Sequence, residues 1–90
     1  MSRALVKALE KVSISAKSGK SDATRSAVES ARAEIGKLTP SPSLRQLETE
    51  LGIWSSKLDV ILNEPAGREG MAKHAAYWME TLAAKGYGDG

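Results

Sequence analysis

Apolar residues recur along this chain at helical intervals, most regularly between Leu44 and Leu62. Leu44, Leu47, Leu51, Trp54, Leu58 and Ile61 follow one another at alternating gaps of three and four. A helix places such positions in one seam, the pattern of helix packed against helix. Ile53 and Val60, seven residues apart, make a second line on nearly the opposite side. The pattern predicts a central third helix, approached from two directions.

The remaining chain offers three further seams. Ser2 can cap a first helix running to about Lys17, with Leu5, Ala8, Leu9, Val12 and Ala16 on one face. The alternation Val12-Ser13-Ile14-Ser15 also suits a strand, but no partner strand accompanies it, so Ile14 is read as a peripheral helical residue. Ser18-Gly19-Lys20 breaks the pattern, and Gly19 suits the left-handed position that ends a helix. Ser21 or Asp22 is then expected to cap a second helix to about Leu38. Its buried face is Ala27, Val28, Ala31, Ile35 and Leu38. That face is Ala-rich, so the second helix is expected to lie flat on the bulkier third.

Proline marks the clearest boundary. In Thr39-Pro40-Ser41-Pro42 the residues before proline are biased away from helix, and Ser41 as cap with Pro42 at the first helical position starts the third helix. Gly52, inside that helix, predicts a close helix crossing that gives the glycine a packing reason. Asn63-Glu64-Pro65 closes the helix, and a fourth follows from about Ala66 to Lys85, ended by Gly86. Its stripe is Met71, Ala75, Trp78, Met79 and Leu82, widened by Ala72, Ala76 and Ala83, while Gly67 and Gly70 are expected to loosen its first turn. The connections are short throughout. The prediction is therefore an all-α fold: one domain over residues 1–86, an antiparallel bundle of about four helices, with a flexible tail at 87–90.

Composition narrows the chemistry. The 90 residues contain no Cys and no Phe, so thiolate metal sites, thiol nucleophiles and disulfides are excluded. No apolar run reaches the roughly 18 residues of a membrane span and no signal-peptide pattern opens the chain, from which a cytoplasmic location is expected. The net charge of +2 divides unevenly, because residues 1–40 carry eight Lys/Arg against four Asp/Glu and residues 41–90 carry five against seven.

The candidate motifs are sparse. Ser18-Gly19-Lys20-Ser21 ends like a phosphate-binding loop, but Ile14 stands where that loop needs its first glycine, and no buried strand precedes it. His74 is the single histidine, and on a helix neither Glu69 nor Glu80 shares its face, so it is read as a structural or surface residue rather than a metal ligand or base. Glu48 and Glu50 diverge on a helix and form no acid–base pair, and no Gly-x-Ser-x-Gly elbow occurs. No catalytic residue, metal site or cofactor is expected, and the chain is read as a non-enzyme.

Two functional readings remain. In the first, the chain is a helical protein-interaction module, an accessory or regulatory subunit or a homo-oligomer. Its candidate interface residues are Ile53 and Val60 with His74 and Tyr77, the latter pair close to Trp78 on the fourth helix. In the second, Arg3, Lys7, Lys11, Lys17, Lys20, Arg25 and Arg32 hold the phosphate backbone of a nucleic acid. All four aromatic residues lie beyond residue 50, so nothing interleaves with those cations to stack bases. The first reading leads.

Overall fold

The computed structural model describes residues 3–86, where each apolar seam becomes a helix: α1 (Arg3–Lys17), α2 (Ser21–Ile35), α3 (Pro42–Leu62) and α4 (Pro65–Ala84). The expected Ser2 cap and the 87–90 tail lie outside the described residues. Short connections reverse the chain three times, and α4 closes the ring by packing on α1. The resulting bundle of antiparallel neighbours is 34 Å long and 19 Å across, a length matched by the 21 residues of α3 at about 1.5 Å each.

Side-chain size decides how the helices share the core. Ala8, Ser15 and Ala16 on α1 are buried, as are Ala27 and Ala31 on α2 and Ala72 and Ala75 on α4. Small residues let helix backbones approach, and the two most extensive interfaces are those of α1 with α2 and with α4. α3 supplies the bulk instead, through Leu44, Leu47, Leu51, Trp54, Leu58 and Leu62. The expectation that α2 lies flat on α3 is corrected accordingly, since its larger interface is with α1. Polar contacts tie α2 to α3: the Ser55 hydroxyl donates to Glu29 at 2.9 Å and that of Ser21 to Asp59 at 3.2 Å.

One hydrogen-bonded chain crosses the α1/α2 interface. The buried Thr24 hydroxyl donates to the Ser15 Oγ at 2.9 Å, and the Ser15 hydroxyl donates to the Lys11 carbonyl at 2.6 Å. No buried side-chain nitrogen or oxygen among the described residues lacks a partner.

Several helix boundaries differ from the sequence expectation. Ser41 caps α3 as anticipated, its hydroxyl oxygen accepting from the Leu44 N–H at 3.2 Å with Pro42 first in the helix. At α2, however, Lys20 rather than Ser21 or Asp22 is the N-cap, without a side-chain cap bond. Gly19, at φ +70°, turns the chain so tightly that α2 begins at once, and the Ser21 hydroxyl is spent on Asp59. The same helix ends at Ile35. Leu38, expected as its last residue, instead follows a tight turn closed by its own N–H on the Ile35 carbonyl at 3.0 Å, and packs half-buried on the core.

α3 and α4 also meet differently than expected. Lys57 leaves the helical region (φ −116°, ψ 19°), which rotates the last turn so that Leu62 takes the core position assigned to Ile61, now only partly buried. Gly52 has no close crossing: a Cβ there would meet nothing within 4 Å. Gly67 is the glycine with a packing reason, because a Cβ there would fall 2.0 Å from the Ile61 carbonyl oxygen. The first turn of α4 accordingly does not start late; it is helical from Pro65. Gly86, at φ +86°, ends it as expected.

Candidate functional site

A polar cluster joining α3 to α4 at the surface is built around a buried indole. Trp78 faces the core from α4, and a buried indole N–H requires an acceptor. Glu50 of α3 provides it, its Oε2 accepting from Trp78 Nε1 at 3.0 Å. The other oxygen, Oε1, lies 2.6 Å from Nδ1 of His74, one helical turn before Trp78 on the same face. An ionised carboxylate only accepts, so Nδ1 carries the proton in this contact and Nε2 points away from Glu50. Tyr77 completes the cluster, its ring edge-to-face with Trp78 at 5.5 Å between centroids and 74° between planes. That geometry is the favoured one for aromatic pairs.

The result is a fixed surface feature. Trp78 is held by packing and by Glu50, Tyr77 is braced on Trp78, and Tyr77 still leaves 60% of its surface exposed. His74 is exposed beside it. The sequence points to His74 and Tyr77 but not to Glu50, which along the chain is only half of a diverging carboxylate pair. The signal for it was available: a core tryptophan on α4 demands an acceptor from its antiparallel neighbour. Replacing Glu50 with alanine is expected to cost about 1–3 kcal/mol, because the indole N–H loses its partner. Glu50→Gln, which keeps a carbonyl acceptor, is expected to lose less; urea denaturation followed by tryptophan fluorescence separates the two.

The other candidate interface residues lie on α3. Ile53, 50% exposed, is one turn beyond Glu50, and Val60, 73% exposed, is two turns further along and past the Lys57 kink. Among the described residues no helix covers either. Ile14 of α1 is similarly exposed.

The seven basic candidates are spread over α1, the α1/α2 turn and α2. Arg25 donates to the Ser55 carbonyl at 3.2 Å and lies 3.9 Å from Asp59, while Arg32 pairs with Glu29 at 3.4 Å. Lys11 and Lys20 share a shallow groove between α1 and α2, whereas Lys17 lines another between α1 and α4. Arg3 and Lys7 are exposed on the N-terminal half of α1.

As chemistry, His74 and Glu50 resemble a base with its orienting carboxylate. Among the described residues no hydroxyl hydrogen-bonds the ring, and no group of three His, Asp or Glu side chains is placed to hold a metal. No described helix is long and apolar enough to cross a membrane. No protein-family model, curated protein or solved structure matches the chain.

Proposed function

We propose that the chain is a non-catalytic helical interaction module, an accessory or regulatory subunit that engages a protein partner or a second copy of itself through the α3/α4 side. Tyr77 is the anchor, His74 is its neighbour on α4, and Ile53 and Val60 extend the contact along α3. The observation that carries this reading is the bracing of an exposed tyrosine on a buried, hydrogen-bonded tryptophan. An aromatic anchor held in place before binding loses little side-chain freedom on contact, and such residues dominate interface energetics. The rival reading, a nucleic-acid subunit, gains no comparable support, because Arg25 and Arg32 are engaged within the chain and Lys17 lines a different groove from Lys11 and Lys20.

Sedimentation and affinity capture from the native host test the proposal. Ile53→Lys with Val60→Lys is expected to leave the bundle folded, within about 0.5 kcal/mol for each exposed site, and Tyr77→Ala to cost about 1 kcal/mol through the lost ring contact. Either change should abolish self-association or release the captured partner. Association unaffected by both variants defeats the assignment. Submicromolar binding of RNA or DNA at physiological salt, weakening steeply as salt rises, would favour the rival.

A further inference from the structure

The groove between α1 and α4 borders the Tyr77 cluster at one end, and its main cations lie at the other. Lys73 on its wall is one turn before Tyr77, but Arg68 stands nine positions before Tyr77, about 180° around the helix and about 13.5 Å along it. The groove holds about 450 Å³, within the roughly 300–1,000 Å³ of small-ligand sites. Pro65, Ala72 and Ala76 give it an apolar lining, and Lys17, Arg68 and Lys73 bring positive charge. The acidic residue on its wall, Glu69, is already bound by Lys73 at 3.1 Å.

Arg68 is the most constrained of these cations. Its Nε donates to the Leu62 carbonyl at 2.7 Å, and its guanidinium passes so close to Gly19 that a Cβ there would come within 2.9 Å of Nε. One hydrogen bond and one missing side chain thus fix the guanidinium plane. Both terminal nitrogens keep their donors, since among the described residues neither Arg68 nor Lys17 is ion-paired. A half-buried arginine held by Nε alone presents two parallel donors, the geometry that takes both oxygens of a carboxylate. Lys17 adds a second charge nearby, and the lining suits a hydrocarbon stem better than a fully hydrated ion.

We propose that this groove binds a carboxylate carried on a short apolar stem, with Arg68 as the bidentate donor and Lys17 as the supporting charge. A free organic acid and the C-terminal carboxylate of a peptide present the same chemistry. Arg68 and Lys17 are not among the residues of the Tyr77 surface, so either assignment can fail without the other.

Titration of the ¹⁵N-labelled protein with hexanoate, N-acetyl-leucine, hexanamide and inorganic phosphate tests it by NMR. Saturable shifts at the Arg68 Nε–H and at the Gly19 and Ala72 amides are expected with the two carboxylates, and the tighter of the two identifies the source. Hexanamide, which lacks the charge, should produce none. Arg68→Lys is expected to weaken carboxylate binding roughly tenfold by removing the fork. Lys17→Gln, which breaks no ion pair among the described residues, should weaken it about threefold. The proposal is overturned by an absence of saturable shifts with both carboxylates, by an equal response to hexanamide or phosphate, or by wild-type affinity in a folded Lys17→Gln or Arg68→Lys variant.

Discussion

Gly67→Ala is expected to destabilise the protein by about 3 kcal/mol, a large effect for one added methyl group. The new Cβ would lie 2.0 Å from the Ile61 carbonyl oxygen and 2.9 Å from its carbon. Neither partner can yield cheaply. The Leu62 carbonyl is tied to Arg68, and Pro65 fixes the entry of α4 with Glu64 as its cap, so relief requires the whole corner between α3 and α4 to open. For a domain of this size the loss corresponds to a fall in melting temperature of about 12 °C or more. Gly52→Ala and Gly70→Ala are the internal controls, because a Cβ at either site meets nothing within 4 Å and each should gain up to about 1 kcal/mol of helix propensity. Thermal melts of the three variants decide the matter: a Gly67→Ala protein as stable as wild type refutes the close approach.

Truncating the α3 seam is expected to be comparably severe. Leu51 and Leu58 are fully buried, and replacing either with alanine should cost about 2–5 kcal/mol through lost burial and the cavity left behind. Leu58 sits directly after the Lys57 kink, where the helix has already departed from regular geometry. Its variant is therefore expected at the lower end of that range if the last turn of α3 can settle inward, and Leu51→Ala, within the regular part of the helix, at the upper end. Urea denaturation with circular dichroism measures both, and wild-type stability in the pair would refute the core position of this seam.

Period and punctuation made the helices legible. Ser41-Pro42 read directly as a cap and a first helical residue because both act through their own backbone and side chain. The features that escaped depend on residues distant in the chain. Ser21 was a sound cap on local grounds, but its hydroxyl is claimed by Asp59 across the bundle. Ile61 belonged to the seam only while α3 stayed regular, and the turn at Lys57 moved Leu62 into its place. Gly52 and Gly67 look alike in sequence, both glycines inside helices, and only the approach of the Ile61 carbonyl distinguishes them. The candidate site was half legible for the same reason: His74, Tyr77 and Trp78 share one helix, whereas Glu50 joins them from another.

The Ser15–Thr24 pair has a consequence for how the chain finds a single arrangement. Interfaces lined with alanine resemble themselves when one helix slides along the other, and a slip of one turn, about 5.4 Å, would still bury methyl groups against methyl groups. Such a slip would part the two hydroxyls; each keeps the carbonyl four residues before it, Lys11 for Ser15 at 2.6 Å and Lys20 for Thr24 at 2.7 Å, so the bond between them, worth about 0.5–1.5 kcal/mol, is what is lost. The hydroxyl pair therefore works as an alignment mark, separating the native docking of α1 on α2 from displaced versions that hydrophobic burial alone would hardly distinguish. Replacing both residues with similarly sized apolar ones would keep the burial and remove that mark, leaving the register to Leu5, Leu9, Val12, Val28 and Ile35.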